Sequence, residues 1–134
     1  MNKQLIRIEV YNKFEGHCAY CGEKITINQM QIDHIIPKYN FEVDIKNAIH
    51  IPERIPKFLR HLEELDVEHI DNKFPSCRVC NNYKRAFNLE SFRNELSLQI
   101  ERANRHSFNY RMAKKYGQVK ETIKPIIFYF ETLD

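Results

Sequence analysis

Cys18-Ala-Tyr-Cys21-Gly22 and Cys77-Arg-Val-Cys80-Asn81-Asn82-Tyr83-Lys84 are the two stretches that decide how this chain folds. Each holds two cysteines with two residues between them. The start, Met1-Asn2-Lys3-Gln4-Leu5, lacks the basic-then-apolar pattern of a secretory leader, so the chain reads as cytoplasmic. A reducing compartment disfavours disulfides. Two matched knuckles are the usual way to set four thiolates tetrahedrally around Zn²⁺. Gly22 follows the first, where a tight turn favours a residue free to take positive φ. Fifty-five residues separate Cys21 from Cys77, far beyond the roughly 15–20 of a zinc ribbon. The expected structural zinc, on Cys18, Cys21, Cys77 and Cys80, therefore staples two ends of a longer element. The working residues should lie between. His17 abuts Cys18 and could substitute, although four thiolates already complete the tetrahedron.

Working outward, 134 residues fit one domain, 1–134, with 43% hydrophobic and 29% charged residues. Sixteen aromatics (seven Tyr, nine Phe) need burial, and three glycines exclude long flexible linkers. No apolar run approaches the roughly 18 residues of a membrane span. The net charge of +3 hides an asymmetry. From Arg78 to Lys115, nine Lys/Arg meet three acids, whereas Lys38 to Asp71 carries five Lys/Arg against eight acids. A basic half attracts polyanions at long range, although a solvated helical face reads the same way.

Local patterns fill in the elements. Asn2–Phe14 should be a helix with Leu5, Ile8 and Tyr11 on one side. Met30 to Ile36 alternates apolar and polar up to Pro37, a short strand with Asp33 and His34 at its end. In the insertion of about 38–69, Pro52 could open a helix running through Leu65, with Ile55, Phe58, Leu59 and Leu62 as its apolar stripe. Ile70 to Pro75 reads as a short strand or turn. A helix should run from Arg78 to about Ala86. Asn88 should cap the next one, with Leu89, Phe92, Leu96, Ile100 and Ala103 facing the core. Phe108 to Tyr116 should form another, stopped by Gly117. Ile126 to Phe130 is a continuous apolar run, expected as a buried strand with Val119–Ile123 as its partner.

The motifs between the knuckles resemble the HNH endonucleases, members of the ββα-metal (His-Me finger) nucleases. Asp33-His34-Ile35-Ile36-Pro37 is similar to the family's first histidine motif. Asn72, in Ile70-Asp71-Asn72-Lys73, falls where the central Asn lies, and Cys77 to Lys84 resembles the closing motif, with Asn81 as its last letter. The resemblance covers about Cys18 to Lys84. It implies an α+β fold: a ββα-metal core (about 15–87) stapled by zinc, flanked by helices and by a C-terminal strand or hairpin (about 88–134). It implies a metal-dependent DNA endonuclease, bacterial or phage-encoded. His34 would be the general base, the one side-chain type here suited to that role near neutral pH. Asp33 and Asn81 would hold a hard ion, Mg²⁺ or Mn²⁺. Asn72 would hold the loop carrying His34, and Lys84 and Arg85 would contact phosphates. A homodimer is one route to double-strand cleavage.

Without the resemblance the same residues have plainer readings. Asp33 and His34 fit a surface carboxylate and a packed histidine, Asn72 a turn, and Asn81 a helix cap. His69, beside Ile70, could reach the site. The cysteines and the basic stretch also suit a non-catalytic zinc-stapled nucleic-acid-binding module, or a zinc-stabilised interaction domain.

Overall fold

The computed structural model describes residues 2–38, 55–62 and 66–133. The chain opens with helix α1, Lys3–Asn12, capped by the Asn2 side chain, which accepts from the Leu5 amide at 2.8 Å. Its inward face is Ile6, Val10 and Tyr11, whereas Leu5 and Ile8, expected inside, are exposed. Polar groups choose this rotation. Arg7 donates to the carbonyls of Ile27 and Met30, and Lys13 to those of Ile70 and Lys73.

The first knuckle then turns back on itself through a bridge between His17 and Lys24. Gly22 takes φ +78° there, and a Cβ at this position would meet the Tyr129 ring at 2.7 Å. Strand β1 is Gln31–His34, and it pairs antiparallel with β2, Lys73–Ser76. The register sets Asp33 opposite Phe74 and His34 opposite Lys73. Helix α2, Arg78–Lys84, follows β2 directly and packs on β1. Two antiparallel strands and a helix thus form the ββα unit of an α+β fold.

Between the strands, the stretch expected as a helix differs. Residues Lys57–Leu59 form a single 3₁₀ turn entered through Pro56, whose missing N–H and fixed φ suit a start rather than an interior. Ile55, Leu59 and Leu62 are buried as the stripe required, but Phe58 is half-exposed. Pro52 and Leu65 lie outside the described residues. Another 3₁₀ turn, Ile70–Asn72, leads into β2.

Three helices complete the chain: α3, Leu89–Ser97, capped by Asn88 as expected; α4, Gln99–His106; and α5, Phe108–Lys115. The stripe from Leu89 to Ala103 is broken at Leu98. Only its first part is deeply buried, through Leu89 and Phe92. Gly117, at φ +76°, ends α5. The expected C-terminal strand or hairpin is absent among the described residues. Val119 to Ile127 is irregular, and Tyr129–Thr132 forms a 3₁₀ turn. The tail is held by aromatic packing instead. Phe128 stacks on Phe92 and meets the Tyr20 ring edge-on, and Phe130 packs against Phe74. Its backbone is tied to the first knuckle through Tyr20 and Ala19, whose carbonyls accept from the amides of Tyr129 and Phe130. Among the described residues, no helix is long and apolar enough to cross a membrane.

The tail should therefore be integral to the core. Phe128→Ala is expected to cost ~3–5 kcal/mol, in the range for buried large-to-small changes, as read by urea denaturation at constant m-value. A loss below about 1 kcal/mol would show that the tail merely lies on the surface.

Candidate active site

The cysteine cluster forms the base of the site. The four sulfurs of Cys18, Cys21, Cys77 and Cys80 all lie within 4.8 Å of one another. Cys21 and Cys77 are 3.9 Å apart, against the ~3.8 Å edge of a tetrahedron with Zn–S bonds of ~2.3 Å. Cys18 and Cys77 are buried, Cys80 is half-buried and Cys21 is exposed. The thiols also oppose one another's ionisation. Hydrogen bonding from Cys80 draws Cys18 down to about 4, while Cys80 is pushed far up and burial raises Cys21 to about 11. A set that cannot all ionise unaided fits a divalent cation that compensates four thiolates. His17 is not among them: its Nδ1 lies 3.0 Å from the Phe14 carbonyl and its ring stacks on Tyr129.

Cys77 also caps α2, accepting from the Cys80 amide. The cluster thus fixes the helix that carries Asn81 and Lys84. Asn81 sits half-buried in α2, and among the described residues its side-chain amide makes no hydrogen bond. Lys84, one turn on, contradicts its expected role. It is fully buried, so it has no access to a nucleic-acid phosphate. Its ammonium donates to Asp33 Oδ1 at 3.2 Å and to the carbonyls of His34 and Ile35 at 3.0 and 3.3 Å. The three N–H groups of an ammonium thus meet three oxygens. Arg85, by contrast, is exposed.

Asp33 also differs from expectation. It is 4% exposed, and its second oxygen accepts from the Tyr20 hydroxyl. Burial holds Tyr20 well above the usual phenol range, so the hydroxyl keeps its proton to donate. Burial pushes Asp33 up and Lys84 down, and the attraction between the two opposes both shifts. Asp33 and Asn81 were expected to hold a hard cation together. As folded, the residues do not fit that ion: the one carboxylate already faces an ammonium, and a second cation beside it would be repelled.

His34 ends β1 with its side chain 21% exposed. Its Nε2 lies 2.9 Å from Glu68 Oε1. With the Nε2 proton donated to that carboxylate, Nδ1 keeps the lone pair, and among the described residues nothing bonds to it. Glu68 was not among the expected residues; its neighbour His69 was the candidate, and it instead accepts from the Asp71 amide. Glu68 also pairs with Lys38 at 3.0 Å and Lys73 at 3.2 Å. Partial burial pushes the Glu68 carboxyl up, but these lysines and His34 hold it at about 2. Sequence spacing offered no signal for Glu68 beyond its membership of the acidic insertion.

Asn72 is fully buried and holds the turn after His34. Its Oδ1 accepts from the Ile36 amide at 2.8 Å, its Nδ2 donates to the carbonyls of Ile36 and Val67, and its own carbonyl accepts from the Ile35 amide. Asp33, His34, Asn72 and Lys84 thus meet around one turn of chain.

In comparison with known families, residues 18–51 match the model described as HNH endonuclease. That stretch spans the first knuckle, β1 and the turn after it. Neither the curated proteins nor the solved structures gave a significant match.

Two outcomes are expected. Cys80→Ser should lose the zinc, assayed by a chromogenic chelator, and unfold at a lower temperature; retention of both zinc and stability would exclude a four-thiolate site. For His34, burial lowers the pKa below 6.5 against the opposing charge of Glu68. The native ring thus binds its proton more weakly than the unfolded chain does. Its contribution to stability is present above about pH 6.5 and is lost as pH falls below that. Glu68→Gln should move the His34 titration, followed by NMR, to still lower pH. An unmoved or raised midpoint would dissociate Glu68 from the imidazole.

Proposed function

From the HNH endonuclease segment at residues 18–51, we propose that this protein hydrolyses DNA phosphodiester bonds with His34 as the general base. The observation that carries the reading is the state of the imidazole. It stands at the end of β1 within the matched segment, part-exposed, with Nε2 committed to Glu68 and Nδ1 unbonded among the described residues. Burial keeps its pKa below 6.5, so the neutral form predominates near pH 7. Nδ1 takes a proton from water, the water oxygen bonds to phosphorus, and the P–O3′ bond breaks. The products are a 5′-phosphate and a 3′-oxygen that takes its proton from solvent.

The family likeness brings with it a divalent cation, Mg²⁺ or Mn²⁺, which would offset the negative charge developing on the phosphate. Because Asp33 is engaged with Lys84, no step is assigned to the ion. Substrate approach is favoured by the basic residues from Arg78 to Lys115, among which Arg78 at the start of α2 and Arg85 just after its end are exposed. The zinc site is structural in this reading. The single domain over residues 1–134, its bacterial or phage source and cleavage of both strands by a homodimer are part of the same proposal.

A plasmid-nicking assay with zinc-loaded protein decides. His34→Ala should lower the rate ~10²–10⁴-fold, the usual share of a general base, and an unchanged rate would remove His34 from the chemistry. Salt-sensitive DNA binding without cutting in any divalent metal would favour the zinc-stapled binding module instead.

A further inference from the structure

Among the described residues, one of the largest fully buried side chains is a lysine. Lys84 reaches no solvent, and its ammonium spends all three N–H groups beneath His34: one on the Asp33 carboxylate and two on the carbonyls of His34 and Ile35. Asp33 is held from its other side by Tyr20, itself packed edge-on among Phe74, Phe92 and Phe128. The opposite side of the same turn belongs to Asn72, which takes the amides of Ile35 and Ile36 and the Ile36 carbonyl. Between them, Lys84 and Asn72 occupy the backbone polar groups of the segment that aims the imidazole.

An ion pair buried this deeply is a poor device for stability alone, because desolvation offsets most of its attraction. Its geometry has a different consequence. The ammonium joins the last residue of α2 to the last two residues of β1, Asp33 and His34, and to the Ile35 carbonyl that follows.

We propose that Lys84 is a positioning residue: paired with Asp33, it fixes the main chain beneath His34 and so sets where Nδ1 meets the attacking water. The catalytic consequence rests on the hydrolase reading above; the structural one does not. Lys84 touches no substrate, so its removal acts on the rate with bound DNA and not on binding.

The test uses full-length zinc-loaded Lys84→Met, Asp33→Asn and the double variant, with the exposed Lys57→Met as control. Rates are normalised to folded protein. Lys84→Met should cut with kcat lowered at least tenfold and KM within twofold of native, and the His34 Cε1–H resonance should shift. Lys57→Met should show neither. The double variant, with a neutral pair, should recover most of the thermal stability lost by either single change while leaving kcat low. It also serves where Lys84→Met alone does not fold. An unchanged kcat per folded molecule would reduce Lys84 to a structural role and overturn the proposal. A raised KM with kcat intact would instead place Lys84 on the DNA, and would equally overturn it. If the native protein cuts no DNA, the hydrolase reading fails. The His34 resonance then still decides the positioning: a shift in Lys84→Met upholds it, and an unmoved signal refutes it.

Discussion

Four sulfurs within 4.8 Å of one another tie residue 18 to residue 80, and the architecture follows from that closure. Bringing those ends together costs chain entropy that a two-stranded sheet of four residues per strand cannot offset. A cation shared by four thiolates can, because its binding free energy appears as folding free energy. The closure also does local work. Cys77 caps α2, and the knuckle between Cys18 and Cys21 hydrogen-bonds outward in two directions. The Ala19 amide donates to Pro75 in β2, while the Ala19 and Tyr20 carbonyls accept from the C-terminal tail. One cluster therefore registers the hairpin, starts the helix and receives the tail.

Above the cluster, the structure solves a problem of backbone accounting. The turn after β1 leaves the sheet and runs through a buried region, where unpaired amides and carbonyls would be costly. Asn72 has both a donor and an acceptor and answers an amide and a carbonyl of Ile36 at once. An ammonium has donors alone, and Lys84 is used where the unmet groups are acceptors. The chemical type of each buried side chain follows from which backbone groups the sheet left open.

What was legible in the sequence was local. The two C-x-x-C pairs, the short strand before Pro37, the Asn88 cap and the Gly117 stop are each decided within a few residues, and each stands where its pattern put it. What was illegible depended on distant partners. Ile126 to Phe130 has the composition of a strand, yet the tail makes no strand pairing. Tyr20, Phe74 and Phe92 offer it an aromatic pocket, and packing overrides propensity. Lys84 reads as a surface cation because lysines nearly always are. Its burial is caused by Asp33, fifty-one positions away. Asp33 is misread by the same omission: a carboxylate next to a histidine suggests a ligand until its counter-charge is known. Glu68 carries no local signal, because only the pairing of β1 with β2 brings its segment to His34.

The placement of Glu68 carries a further constraint. A carboxylate beside the base orients the imidazole, but it also repels an approaching phosphate backbone. Lys38 and Lys73 resolve the conflict by pairing with the same carboxylate, so two ammoniums flank one negative charge. These three side chains together carry a net positive charge, although the insertion as a whole is acidic. The lysines also act on the imidazole directly: both oppose its protonation, in the same direction as burial and against Glu68. Orientation therefore comes from the carboxylate, and neutrality of the ring comes from burial assisted by the lysines. Separating those two demands lets one histidine be held by an acid without being kept protonated by it.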